Sequence, residues 1–274
     1  MQRQRTIGQA VHFEGIGLHS GRPARLDLVP APENTGIVLR AGDPPVDIPL
    51  TLAHLAPSRR CTAVARGAAR VDTVEHLAAA LYGCGVDNVR AEVEGGEIPI
   101  LDGSAEPFVN AIRRAGVVEQ EAPRRTIRLS RPVFVAEENR FALALPAEGL
   151  RLTVAVDFRE PVGRAVVDVA LNEETFAREL APARTFGFAE DREKLLEEGL
   201  SHGASEECIL VVRDDAYTSS LRLEDEPARH KALDALGDLC LLGRRLAAHV
   251  VIVRGGHALH HALAAAIAAA GDEE

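Results

Sequence analysis

Up to about residue 70 the chain reads as short strands separated by turn-forming runs. ARLDLV at 24–29 alternates apolar and polar positions, IVLR at 37–40 is short and apolar, and PAPENTG and AGDPP supply turns. The period then lengthens. Asp72 and Glu75 have capping-box spacing, and Val74, Leu77, Ala78 and Leu81 form an apolar stripe that stops at Gly83 and Gly85, which predicts a helix. Alternation returns in VDNVRAEVE at 86–94, GGEIPILDGS reads as a loop, and Phe108, Val109 and Ile112 predict a second helix ending at Gly116.

The segment VVEQEAPRR at 117–125 is charged, contains Pro123 and has little to bury, so it marks the boundary between a unit at 1–120 and a second at 126–274. The second unit begins with strand-like TIRLS, PVFVA, RFALAL and LRLTVAVDF. Helical patterns follow at 173–180 and 190–199, then a strand CILVV at 208–212 and a long helix from Pro227 to about Ala247. VVIVR at 250–254 reads as the last strand and 257–270 as the closing helix. Both halves mix antiparallel-looking strands with paired helices, so the expected fold class is α+β, in two similar domains, each a mainly antiparallel sheet packed against helices. No residue-level repeat accompanies that likeness.

The 274 residues are 46% hydrophobic but only 4% aromatic, without Trp, so the core should be aliphatic and closed by small side chains. A net charge of -10 with Lys and Arg scattered along the chain argues against nucleic acid as a partner, although a local basic cluster can still receive an anionic small molecule. Cys61, Cys84, Cys208 and Cys240 are far apart and unpaired in spacing, as in a reducing compartment. No apolar run approaches the roughly 20 residues of a membrane span, and the first residues lack a secretory apolar stretch. A cytoplasmic protein without a transmembrane segment is expected, and, with no interface signal, a monomer.

The strongest chemical signal is RHKALDALGD at 229–238. His230, Asp234 and Asp238 recur every four residues on one face of a helix otherwise lined by Leu233, Leu236 and Leu239. Four-residue spacing lets His230 and Asp234 grip one zinc, and Asp238 suits an outer position that fixes a histidine. A solvated polar face is the competing reading of the motif alone, and the apolar packing on both sides weighs against it. Glu75-His76 on the first helix offers a third ligand, His76, for which a satisfied core or edge histidine is the competing reading, and a carboxylate, Glu75, suited to take a proton from water. Three protein ligands leave a fourth position open, as catalytic zinc sites do. In RGGHAL at 254–259, His257 lies between strand and helix, where it can act as a general acid or, when charged, stabilise an oxyanion.

In order along the chain, TVEHL, EIPILDGS, RTFGF, EDExxRHKxLDxxGDL and GHAL closely resemble the motifs of the UDP-3-O-acyl-N-acetylglucosamine deacetylases. The resemblance spans nearly the whole chain. It implies a zinc amidase of bacterial lipid A synthesis that removes the acetyl group from UDP-3-O-(3-hydroxyacyl)-N-acetylglucosamine, releasing acetate and the free amine. It also implies two similar α+β domains with the site between them, and one zinc per chain on His76, His230 and Asp234. Glu75 matches the family's general base, His257 its charged acid, Asp238 the acid that orients the catalytic histidine, and Thr185 a hydroxyl that holds the intermediate's oxygen. Lys231 matches a cation near the diphosphate, and His19 in GIGLHSG a cleft-lining position.

The same resemblance implies an acyl-passage insert around 188–221 and places Phe186, Gly203, Ala204, Ser205 and Ile209 along the substrate. Ala204, Ile209 and Arg60 depart from the family's usual residues, so the expectation is a passage narrowed by Ala204 and Ile209. Two other readings compete: a zinc amidase of this fold for another N-acetyl sugar, and a silent homologue that binds a nucleotide sugar or a protein. Retention of Glu75, Asp234 and His257 argues against the silent homologue.

Overall fold

The alternating segments of the first half form β1 (Arg3–Ile7), β2 (Val11–Ile16), β3 (Pro23–Pro30), β4 (Ile37–Ala41), β5 (Val46–Pro49), β6 (Leu55–Ala56), β7 (Ala63–Arg66), β8 (Ala69–Val71) and β9 (Val89–Glu94) in the computed structural model, which describes residues 2–214 and 216–273. Five of these strands make a sheet in the order β2–β3–β9–β4–β5, antiparallel except at β4–β9. The period-2 pattern turns Leu26, Leu28, Leu39, Ile48, Ala91 and Val93 to the buried side. They share one core with Leu77 and Leu81 of α1 (Glu75–Gly83) and Phe108 and Ile112 of α2 (Glu106–Ala115). Phe13 of β2 meets Phe108 edge-on at 5.0 Å. A smaller antiparallel sheet, β6–β7–β8, leads the chain into α1.

In the second half, β10 (Val117–Pro123) pairs with β1, and β11 (Thr126–Arg128), β12 (Val133–Glu137), β13 (Arg140–Pro146), β14 (Arg151–Asp157) and β15 (Arg164–Ala170) follow. The insert carries β16 (Phe186–Phe188), α3 (Arg192–Glu197), β17 (Leu210–Arg213) and β18 (Ala216–Tyr217). Then come α4 (Glu226–Leu239), β19 (Arg245–Val253) and α5 (His257–Ala270). The main sheet runs β12–β13–β19–β14–β15, with β19 antiparallel to β13 and parallel to β14. Leu152, Val154, Val167, Val250 and Ile252 from this sheet share the core with Leu233 and Leu236 of α4 and Leu259 and Leu263 of α5. The fold is mixed α and β with antiparallel-rich sheets, as the sequence pattern implies.

Several local expectations are corrected. α4 ends at Leu239, not near Ala247: a 3-10 turn over Cys240–Leu242 and Gly243 at φ 66° stop it, and β19 has begun by Arg245. The apolar run LCLL continues the helical pattern past its true end, which misleads a reading by periodicity. α1 has no capping box: Val74 occupies the N-cap, and the Asp72 carboxylate is taken up by Arg70 at 2.6 Å. Residues 117–123, where the sequence places the domain boundary, form a strand, and 164–170, unassigned from sequence, form β15. Within 173–180 only Glu173–Thr175 is α-helical, and the chain continues as a π-helical turn over Phe176–Leu180.

Candidate active site

All nine residues of α1 are buried, and α4 buries every residue except Arg229 and Lys231. Their crossing is unusually close at Gly237, where a Cβ would stand 2.1 Å from the Glu75 carbonyl oxygen. Glycine lets the two backbones touch, and this contact sets the N-terminal turn of α1 against the last turn of α4. His76 therefore meets His230 edge-on, with ring centroids 4.9 Å apart and an interplanar angle of 84°.

His76 Nε2 lies 3.6 Å and His230 Nε2 3.3 Å from the same oxygen, Asp234 Oδ1. Two nitrogen or oxygen donors at 2.0–2.1 Å from one tetrahedral zinc stand about 3.3 Å apart, so this trio has the spacing of three ligands around one ion. The chemistry of the donors fits too. His230 Nδ1–H donates to the Ala183 carbonyl at 3.0 Å, which leaves Nε2 as a lone pair facing Asp234. Burial pushes His230 down to about 3, so its imidazole is neutral. Burial opposes the charge on Asp234, yet His230, Lys231 and His76 hold its carboxyl well below the usual carboxylate range. Lys231 Nζ donates to Asp234 Oδ2 at 2.8 Å and lies 5.6 Å from the centre of the Phe186 ring.

Beside the trio, Glu75 and His257 face one another. Glu75 Oε1 is 3.8 Å from His257 Nε2, while Glu75 Oε2 accepts the Thr62 backbone N–H at 3.0 Å. Burial raises the Glu75 carboxyl above the usual range. His257 opens α5 after Gly256, and its Nδ1–H donates to Asp238 Oδ2 at 2.8 Å. Burial alone would lower His257, but the Asp238 charge and hydrogen bond, joined by Glu75, raise it to about 10. A carboxylate with one oxygen uncommitted thus opposes an imidazolium with one N–H uncommitted.

Thr185 is held through its backbone, its N–H donating to Gly103 O and its C=O accepting from Leu210 N–H, both at 2.8 Å. Phe186 packs edge-on to Phe158 at 5.3 Å. The His19 and Ser20 backbone N–H groups donate to the buried Glu97 carboxylate, and Thr73 donates to it as well. His19 Nε2 is buried without a hydrogen-bond partner among the described residues. The insert is stitched to this loop: Gly203 N–H donates to Leu18 O at 3.0 Å, and a Cβ at Gly203 would meet Gly17 O at 2.2 Å. Ala204 and Ile209 pack against Leu18, Ile100 and Cys208 in a small separate apolar cluster, and the Ser205 backbone N–H points at Cys208 Sγ.

Several residues of the centre carry no sequence signal. Thr62, His260 and His261 all converge on Asp238, and the Ala183 carbonyl orients His230. Arg184 and Glu226 form a buried, doubly hydrogen-bonded ion pair at 2.8 and 3.1 Å that pins the RTFGF segment to the start of α4. Both stand inside motifs quoted above, Arg184 opening RTFGF and Glu226 closing EDE, and their complementary charge is the one clue the sequence offers. Among the described residues, no helix is long and apolar enough to cross a membrane.

Residues 4–269 match the family model described as UDP-3-O-acyl N-acetylglycosamine deacetylase. Proteins named UDP-3-O-acyl-N-acetylglucosamine deacetylase from Anaeromyxobacter sp. (strain Fw109-5) and Myxococcus xanthus (strain DK1622) are 44% and 43% identical to this chain over 263 and 266 residues. Those alignments cover 95% of this chain and 86% and 84% of the relatives. A protein of the same name from Thioalkalivibrio sulfidiphilus (strain HL-EbGR7) is 41% identical over 270 residues, 96% of this chain and 89% of its own length.

Proposed function

The chain belongs to the UDP-3-O-acyl N-acetylglycosamine deacetylase family, and on that premise we propose that it hydrolyses the N-acetyl amide of UDP-3-O-(3-hydroxyacyl)-N-acetylglucosamine, a step of lipid A synthesis, releasing acetate and the 2-amino sugar nucleotide. The observation that carries this reading is the placing of Glu75 and His257, one able to take a proton and one able to give it, beside three buried donors with zinc-ligand spacing. His76, His230 and Asp234 would hold one zinc ion, which when bound supplies Lewis acidity to the amide carbonyl and to water.

The proton work falls to the chain's own side chains. The Thr62 N–H occupies Glu75 Oε2, so Oε1 is the oxygen that removes a proton from the attacking water. Asp238 takes the Nδ1–H of His257, so Nε2–H delivers its proton to the amide nitrogen as the C–N bond breaks. The imidazolium also stands where negative charge develops. Thr185 supports the intermediate's oxygen. Lys231, held over Phe186 by Asp234, stands where the anionic part of the nucleotide approaches. Gly203, Ala204, Ser205 and Ile209 sit in the insert that receives the acyl chain, and His19 lines the cleft beside it. Four free cysteines, all buried, fit a reducing compartment, and we place the reaction in the cytoplasm.

The test is a deacetylase assay on metal-quantified protein, comparing the acylated UDP-sugar with UDP-N-acetylglucosamine. A strong preference for the acylated compound is expected. Equal turnover of the two would replace this reading with an amidase for a simpler N-acetyl sugar, and no turnover of either by zinc-loaded protein would replace it with a binding protein.

A further inference from the structure

Thr62 is fully buried, immediately before β7, and every polar atom it owns is committed to the active site. Its backbone C=O accepts the N–H of Val74, the N-cap of α1, at 3.1 Å. Its backbone N–H holds Glu75 Oε2 at 3.0 Å. Its hydroxyl contacts Asp238 Oδ1, His261 Nε2 at 3.0 Å and His257 Nδ1 at 3.2 Å.

A hydroxyl has one proton to donate and two lone pairs. Ionised Asp238 can only accept, so the Thr62 O–H points to Asp238 Oδ1, and the hydroxyl accepts from His261. The other carboxylate oxygen, Oδ2, accepts from His257 Nδ1 and His260 Nδ1, each at 2.8 Å. Without the hydroxyl, Oδ1 keeps only His261 at 3.3 Å among the described residues, and the carboxylate can rotate about its Cβ–Cγ bond. That rotation would swing the His257 ring, whose Nε2 must face the scissile nitrogen.

We propose that Thr62 is a positioning residue for the deacetylation, one residue that fixes both the proton acceptor, through its backbone N–H on Glu75, and the proton donor, through its side-chain hydroxyl on Asp238. The inference rests on the function proposed above. Glu75 and His257 face one another across 3.8 Å from α1 and α5, and Thr62, from a third segment, makes hydrogen-bond contacts to both.

Thr62→Val separates the two roles, since it keeps the backbone N–H and the shape but removes the hydroxyl. The expected outcome is a fall in kcat of about 10- to 100-fold, the effect of one hydrogen bond to a charged group acting on the transition state. KM, bound zinc and thermal midpoint should stay near wild type. Thr62→Ser, which restores the hydroxyl, should recover most of kcat. In 15N-edited spectra of the zinc-loaded protein, the ring N–H signals of His257 and His261 should move in Thr62→Val and return in Thr62→Ser. These spectra need no substrate, so they judge the positioning role even where wild type turns over no acylated UDP-sugar and the functional reading fails. A Thr62→Val enzyme with wild-type kcat, unmoved ring signals, or a loss of zinc and folding that Thr62→Ser shares would each overturn the proposal.

Discussion

Glu75 and Asp234 are both buried carboxylates on helices that touch, yet their surroundings push them in opposite directions. Burial raises Glu75, whereas His230, Lys231 and His76 overcome burial and hold Asp234 well below the usual range. A raised carboxyl suits a base that must take up a proton, and a lowered one suits a permanent ligand. Asp234→Ala or His230→Ala should therefore lose most bound zinc at neutral pH, as metal analysis after gel filtration would report, and full retention by both would remove them from the ligand set. Glu75→Gln should behave differently, keeping zinc while losing roughly 10²-fold or more in kcat, because an amide keeps the shape but takes no proton. A near-normal kcat at saturating substrate would count against Glu75 as the base. At this scale the grouping of His76, His230 and Asp234 was legible, because spacing of four on a Leu-rich helix and an adjacent Glu-His pair are local patterns. Thr62, His260 and His261 were not, because what marks them is convergence on Asp238, and only the folded chain brings residue 62 to residue 238.

The elements matter through how closely they approach. α1 is short, Ala-rich and buried on all sides, so it presents little side-chain bulk to α4, and Gly237 removes the last obstacle. Gly237→Ala would place a methyl 2.1 Å from the Glu75 carbonyl oxygen, a backbone atom that can yield only if α1 shifts. The expected cost is about 1–3 kcal/mol in chemical denaturation. Because the shifted atom belongs to Glu75, the proposed base, kcat should also fall about tenfold or more. A variant as active as wild type would show that α1 can move without disturbing Glu75. The packing stripe of α2 was readable from apolar spacing alone, whereas α1 and α4 are buried well beyond the stripes their apolar spacing marks. The end of α4 was not, because Cys240, Leu241 and Leu242 sustain the helical pattern, while the stop is a backbone event at Gly243.

Distant parts of the chain are tied together at the end of α1 opposite the turn that carries Glu75 and His76. Guanidinium groups from three distant segments meet there: Arg5 of β1, Arg124 after β10 and Arg245 of β19. Arg5 donates to the Gly85 and Cys84 carbonyls at 3.0 and 3.3 Å, Arg124 to Gly85 O at 2.8 Å, and Arg245 to Tyr82 O and to Val86 O at 3.1 Å. These groups satisfy the carbonyls at and just beyond the helix end, where the dipole favours cations. Asp87 is the carboxylate among them: its Oδ2 accepts from Arg124 at 2.7 Å and from the Arg5 backbone N–H at 2.9 Å, and its Oδ1 from Arg245 at 3.0 Å. Burial and the nearby Arg245 and Arg5 charges lower Arg124 from its ordinary value, and Asp87 is the anion that pairs with Arg124 and Arg245, while Glu173 pairs with the Arg5 guanidinium. None of this was visible in the segment 117–125, which reads as a charged strip with little to bury. Asp87→Ala should cost about 3–5 kcal/mol, the penalty for leaving buried charge without its partner. Since the three arginines come from both halves of the chain, the loss should appear as a lower midpoint of one cooperative transition, followed by circular dichroism in urea, with zinc content and kcat of the folded fraction unchanged. A second, earlier transition in the variant would mean that the cluster fastens two units able to unfold separately. A change below about 1 kcal/mol, the range of exposed ion pairs, would mean that solvent already does the work assigned to Asp87.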